Sequence, residues 1–277
     1  MKPYWLNKKI NFSSLNYVKG ILQKFNLRTV CEECKCPNIS ECFKKNIATF
    51  MILGDICTRN CSFCAIKKGK PNFYDKNEPL MIKNAVEALD LSYVVITSPT
   101  RDDLEDKGCS IFLETAKVLK ESFKDIKVEL LIPDFLGKDD LIEKIAQLDV
   151  EVICHNLETV PSLYPKIKRD SNYFRSLKVL KKIKEINKKI KTKSSILLGF
   201  GENLNEVLKV FEDLRGANCD FLILGQYLQP SLNHYPTKEY IHPEKFYYLK
   251  EEAEKLGFKG VLSSPYTRSS YLASYLI

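Results

Sequence analysis

Apolar residues recur along this chain in two alternating rhythms. Short runs that are apolar nearly throughout occur at Phe50–Leu53, Ser92–Thr97, Lys127–Ile132, Val150–His155, Ser194–Gly199 and Asp220–Gly225. Each is four to six residues long and reads as a strand buried on both faces. Between them lie longer stretches with apolar residues three and four apart, at Ile111–Phe123, Asp139–Gln147, Tyr173–Ile186 and Leu204–Arg215, while Ala85–Asp90 ends a further one. These predict amphipathic helices. Before the first strand, Ser14–Phe25 has the same helical spacing, with Leu15, Val18, Ile21, Leu22 and Phe25 on one side. Strand and helix alternate six times, the pattern of a parallel sheet covered by helices. A full eight-unit barrel usually takes about 250 residues for the barrel alone, so six units in 277 residues predict an incomplete one.

Composition adds little beyond excluding some classes. Hydrophobic content of 44% and charged content of 28% are ordinary for a globular domain. No apolar run is long enough to span a bilayer, and Met1–Ile10 has no signal-peptide h-region, so a cytoplasmic protein with no membrane partner is expected. A removed organellar presequence is compatible with the same residues. The net charge is +8, with a dense set at Lys181, Lys182, Lys184, Lys188, Lys189, Lys191 and Lys193. A solvated helix face accounts for most of these lysines; a docking surface for an acidic protein is the sharper alternative. No nucleic-acid motif or basic tail interleaved with aromatics is present, so no nucleic-acid partner is expected.

The cysteines change the picture. Ten are present, and six form two triads in loop-like sequence. Cys57, Cys61 and Cys64 have C-x3-C-x2-C spacing; Cys31, Cys36 and Cys42 have C-x4-C-x5-C spacing. Clustering without a secretion signal argues for metal rather than disulfides. Cys109, Cys154 and Cys219 stand apart and read as small buried hydrophobes. Three thiolates are one short of the irons in a four-iron cluster. Fully ligated clusters mainly carry electrons, whereas an open metal position can take a substrate. A zinc module would favour paired C-x2-C units, found here only at Cys61–Cys64 and Cys31–Cys34.

The run Gly54-Asp55-Ile56-Cys57-Thr58-Arg59-Asn60-Cys61-Ser62-Phe63-Cys64 resembles the radical S-adenosylmethionine superfamily. Val30–Phe43 and Met51–Cys64 together resemble lipoyl synthases almost residue for residue, apart from Cys34, where alanine or serine is usual. Further runs extend the resemblance: Arg101-Asp102-Asp103-Leu104, with Lys107 and Cys109 replacing family residues; Leu131–Gly137; His155–Thr159, with Cys154 replacing an asparagine; Thr192–Glu202; Gly225–Ser231 with His234; and Ser264–Tyr271. It covers the chain from Lys2 to Tyr271. Biotin synthases fit less well, lacking the N-terminal triad and the Arg-Ser-Ser-Tyr ending.

The resemblance implies a partial (β/α)6 barrel, residues 48–277, with an N-terminal extension, residues 1–47, and a C-terminal segment that together hold an auxiliary cluster. It implies two 4Fe-4S clusters and S-adenosylmethionine. Cys57, Cys61 and Cys64 would ligate the radical-generating cluster. Cys31, Cys36, Cys42 and Ser270 would ligate the auxiliary one; a helix cap is the plain alternative for Ser270, and adjacent Ser269 is the fallback ligand. Asn156, Glu158 and Glu202 are expected to contact S-adenosylmethionine. A 5'-deoxyadenosyl radical would attack unactivated C–H bonds that no general base can touch, and the auxiliary cluster would donate the sulfur. The implied reaction is sulfur insertion at C6 and C8 of an octanoyl group on a lipoyl carrier domain, from a 2-oxo acid dehydrogenase complex or the glycine cleavage H protein, with flavodoxin or ferredoxin as reductant.

Overall fold

The computed structural model describes residues 3–7, 12–45, 47–71 and 73–277, with the side chains of residues 12–15 outside the description. Much of the Met1–Ile10 stretch, and the Leu15 position on the first apolar face, therefore lie outside the described residues.

In chain order the elements are α1 (Phe12–Lys24), β1 (Arg28–Thr29), α2 (Val30–Glu33), α3 (Ile39–Lys44), β2 (Thr49–Met51), β3 (Ile56–Cys57), β4 (Lys67–Lys68), α4 (Glu78–Ala88), β5 (Tyr93–Thr97), α5 (Cys109–Ser122), β6 (Lys127–Leu131), α6 (Asp139–Ala146), β7 (Val152–Cys154), α7 (Tyr164–Ile167), α8 (Tyr173–Ile186), β8 (Lys191–Leu198), α9 (Leu204–Gly216), β9 (Phe221–Gln226), α10 (Pro243–Lys255) and β10 (Gly260–Ser263). The six expected strands are β2, β5, β6, β7, β8 and β9. β8 begins three residues earlier than its apolar run suggests, because Thr192, Lys193 and Ser194 are buried despite their polarity. The α10–β10 pair was not expected: α10 leaves Tyr247 and Tyr248 exposed, and β10 buries only Val261, so neither carries a strong apolar rhythm.

The chain divides into two compact units. One holds Lys9–Arg59 and Ala65–Ile153. There β1 pairs antiparallel with β2, β2 parallel with β5, and β5 parallel with β6, with Tyr93 opposite Lys127. Phe112 on α5 meets Phe135 edge to face at 6.2 Å, both fully buried. Gly108 opens α5 at φ 84°, and a Cβ there would fall 2.3 Å from Leu53, so both conformation and packing require glycine.

The other unit holds Met1–Lys8, Asn60–Cys64 and Cys154–Ile277. β8 and β10 flank β9, both parallel to it. α9 starts under an Asn203 cap, whose side chain accepts from Asn205 N–H, and buries Val207, Val210, Phe211 and Leu214, one stripe at spacings of three, one and three. That stripe joins Leu222, Leu224, Phe246 and Leu249 in the unit's core. Among the described residues no helix is long and apolar enough to cross a membrane.

Candidate active site

The first cysteine triad lies wholly in the unit containing Lys9–Arg59. Thr29 caps α2, its hydroxyl accepting from Glu32 N–H at 3.3 Å and donating to the Glu32 carboxylate at 3.1 Å, which fixes the turn carrying Cys31. Cys36 N–H then returns to the Cys31 carbonyl at 2.9 Å, and Cys42 sits on α3. Cys31 and Cys42 are buried and Cys36 is half-buried. Burial pushes the Cys31 thiol up to about 12, with like charge from Cys36 and Cys42 adding to it and Thr49 opposing it. The three thiols therefore share one electrostatic neighbourhood.

The same unit contains the base of the second triad's loop. β3 and β4 pair in parallel, Cys57 opposite Lys68, and Gly69 N–H donates to the Cys57 carbonyl at 3.0 Å. Two residues on, Arg59 is 5% exposed, and its guanidinium forks onto Asp102 at 2.7 and 3.0 Å while also reaching Asp134 at 2.5 Å. The loop after β5 and the loop after β6 thus clamp the middle of the cysteine motif. Thr58 reinforces this, donating to the Thr100 carbonyl and accepting from Asp102 N–H. Arg101 is bound bidentately by Asp103 and donates to the Leu53 carbonyl, so the Arg-Asp-Asp run is a salt-bridged brace. Glu78 accepts from Leu53 N–H at 2.6 Å and Gly54 N–H at 3.4 Å, and burial raises its carboxyl to about 7. The roles of Arg59 and Glu78 were not anticipated from sequence; an arginine enclosed between two cysteines was the available signal.

The second unit contains Cys61 and Cys64. Asp170 accepts from Asn60 N–H at 2.7 Å, Ser62 donates to the Lys166 carbonyl at 2.7 Å, and Tyr235 N–H donates to the Ser62 carbonyl. Phe63 stands edge-on to Phe200 at 6.0 Å, and Phe200 tilts over Tyr227 at 4.3 Å. Burial, with Cys64 nearby, pushes the Tyr227 phenol up. Every residue of this tip is thus tied by backbone or aromatic contact, while Cys61 and Cys64 stay half-exposed.

Asn156 and Glu158 follow β7. Asn156 accepts from the Cys154 thiol at 3.1 Å, donates to Ser269 at 3.3 Å, and offers its carbonyl to Lys168. Glu158 has φ 69°, a left-handed conformation costly for a non-glycine residue, held by bonds from its N–H to Ser195 and to its carbonyl from Leu197. Burial pushes its carboxyl up, against the pull of Lys168, Asn156 and Arg268. Neighbouring His155 is buried and hydrogen-bonded to Ser176, a structural partner. Glu202 accepts from Gly199 and Phe200 N–H at 2.6 and 2.8 Å, so both oxygens are engaged in shaping the glycine turn after β8.

The Gly225–Ser231 run is held by its own polar groups. Gln226 is fully buried, donates to the Leu198, Tyr227 and Glu239 carbonyls and accepts from Ile241 N–H. A Cβ on Gly225 would lie 2.1 Å from the Thr267 carbonyl, so this glycine lets the C-terminal Thr267–Tyr271 run lie against β9. In that run Ser269 is engaged by Asn156, whereas the Ser270 hydroxyl makes no hydrogen bond among the described residues.

Among the described residues, no group of three or more His, Cys, Asp or Glu side chains is placed so that it could hold a metal ion. The donor chemistry nonetheless fits an iron–sulfur group: each triad offers soft thiols alone, on backbone braced by capping or salt bridges. The polar set around Glu158 and Asn156, with cations at Lys168 and Arg268, suits a ligand bearing both amino and carboxylate groups.

Comparison with known proteins agrees. The Radical SAM superfamily description matches residues 51–214. A lipoyl synthase of Caldicellulosiruptor saccharolyticus is 52% identical over 273 residues, covering 98% of this chain and 96% of that one. A lipoyl synthase of Aquifex aeolicus is 53% identical, covering 99% and 97%. Among solved structures, Streptococcus suis SuiB bound to S-adenosylmethionine superposes with a TM-score of 0.61 at 13% identity, over 81% of this chain and 53% of that one, a likeness of fold. The α/β architecture is that of a radical SAM partial barrel, and by identity along nearly its whole length the chain belongs to the lipoyl synthase family.

Proposed function

We propose that the two cysteine triads divide the work of a lipoyl synthase, Cys57, Cys61 and Cys64 holding the cluster that engages S-adenosylmethionine, and Cys31, Cys36, Cys42 and Ser270 holding a second cluster that is consumed. The substrate is an octanoyl-lysine on a lipoyl carrier domain, of a 2-oxo acid dehydrogenase or the glycine cleavage H protein, and the product carries sulfur at C6 and C8. When bound, the clusters and S-adenosylmethionine supply the reducing electron, the hydrogen-abstracting radical and the sulfide. Flavodoxin or ferredoxin is the proposed electron donor, and the cytoplasm the proposed compartment. Residues 1–47 serve as the extension bearing the consumed cluster's thiols, and residues 48–277 as the barrel and its C-terminal segment.

The protein's own share is placement. Arg59, gripped by Asp102 and Asp134, sets the path of the backbone between Cys57 and Cys61. Asn156 and Glu158 are the proposed contacts for the amino and carboxylate groups of S-adenosylmethionine. Glu202 acts on that ligand through the turn it shapes. The observation that carries the reading is the pair of all-thiol triads in a chain 53% identical to a lipoyl synthase. Ser270 is preferred over Ser269 because Ser269 is committed to Asn156.

The test is anaerobic reconstitution with iron and sulfide. About eight irons per chain are expected, from two four-iron clusters. The combined Cys57→Ala, Cys61→Ala and Cys64→Ala variant should retain about half the iron and cleave no S-adenosylmethionine. Undiminished cleavage in that variant overturns the assignment.

A further inference from the structure

At the opposite end of β8 from the Gly199–Glu202 turn lies an open cavity of about 400 Å³, lined by Lys184, Lys188, Arg215, Asn218, Asp220 and Lys259. Four cations and one carboxylate face it. Three of the cations are paired within the chain. Lys184 donates to the Lys188 and Ile190 carbonyls and to Asp220 at 2.9 Å. Arg215 donates to the Cys219 and Leu256 carbonyls and packs on Phe258. Asp220 is divided between Lys184 and Lys259, the latter at 2.6 Å, and also accepts from Thr192 N–H. Its charge is therefore spent. Lys188 has no side-chain partner among the described residues. Lys191, outside the lining itself, lies against Lys259, a like charge that holds its ammonium below the usual range. Water alone would let such side chains spread apart. Here Lys184, Lys188, Arg215 and Lys259 line a concavity whose one lining carboxylate, Asp220, is already bound twice.

We propose that this cavity binds a multivalent phosphate-class oxyanion, with Lys184, Lys188 and Lys259 as its cationic grip. β8 spans eight residues, roughly 25 Å at strand rise, so the ligand is separate from the sulfur-insertion chemistry. A concave site with several convergent ammonium groups favours a compact polyanion over a flat acidic protein face.

Calorimetric titration of pyrophosphate into the anaerobically reconstituted protein tests this. Saturable one-to-one binding is expected, weakened roughly tenfold or more in a Lys188→Ala, Lys259→Ala double variant, with S-adenosylmethionine cleavage unchanged. Tighter binding of ADP than of pyrophosphate would support a nucleotide-borne phosphate; the reverse order would support the free anion. Unsaturable heat, equal affinity in the double variant, or equal binding of citrate overturns the proposal. So does protection of these lysines by an acidic carrier domain in the absence of any pyrophosphate binding.

Discussion

The two cysteine triads have the same donor set and opposite surroundings. Cys31 and Cys42 are buried on short helices, and their loop is ordered by the Thr29 cap and local backbone bonds. Cys57, Cys61 and Cys64 stay half-exposed on a loop ordered from outside by a buried arginine, two aspartates and an aromatic stack. Burial raises the cost of forming a thiolate, so the first triad is stable as thiols without metal and binds metal with proton release. The second holds its thiols open to a small molecule while its backbone is braced. This contrast matches the proposed division of work, in which a consumed cluster is shielded and a substrate-binding one is accessible.

The largest effect expected separates the two functions. Replacing Cys31, Cys36 and Cys42 by alanine should abolish lipoyl product while 5'-deoxyadenosine still forms; product from that variant would end the distinction between the triads. Next is the brace. Asp134→Ala leaves Arg59 with less of its buried counter-charge and should cost about 3–5 kcal/mol of stability, measured by denaturant unfolding of the cluster-free chain. A loss near zero would mean that the loop is ordered by something other than this ion pair.

The pH dependence of stability sharpens the picture further. Glu78 is raised in the folded chain to about 7 from 4.5, so the folded state binds the extra proton between those values. The Glu78 contribution is therefore fully present below about 4.5 and is lost as pH rises through about 7. Glu78→Gln should flatten that part of the profile; an unchanged slope would place the titration elsewhere. The smallest effect concerns the serines. Ser269→Ala removes one half-exposed hydrogen bond to Asn156 and should cost about 1 kcal/mol, with iron content intact. Ser270→Ala should leave global stability of the cluster-free chain nearly unchanged yet yield a reconstituted protein that loses iron on gel filtration. The opposite pattern would move the ligand to Ser269.

The six strands were legible because each contains a short, mostly apolar run, and the triads because thiol spacing is a local property. The rest was hidden for identifiable reasons. Arg59 acts through Asp102 and Asp134, 43 and 75 positions away, and no local rhythm reports such a pairing. Glu202 reads as a ligand-binding carboxylate in sequence, yet its oxygens are taken by backbone N–H groups two and three residues before it. Lys193, one of the supposedly solvated lysines, is 1% exposed, because a strand buried on both faces sequesters even a long cationic side chain.

The close approach at Gly225 also bears on how this chain could be made more heat-resistant. Replacing glycine by alanine is a standard stabilising move, worth roughly 0.5–1 kcal/mol where the backbone already suits an L-residue. Screening by dihedral angle alone would rank Gly20, Gly216 and Gly225 together, since none of them has positive φ. Gly20 and Gly216 face open space, and both lie within helices. At Gly225 the new methyl would collide with the Thr267 carbonyl and push the Thr267–Arg268 backbone away from β9. An engineer would take the first two and leave the third, because there the missing methyl is the space the chain terminus occupies.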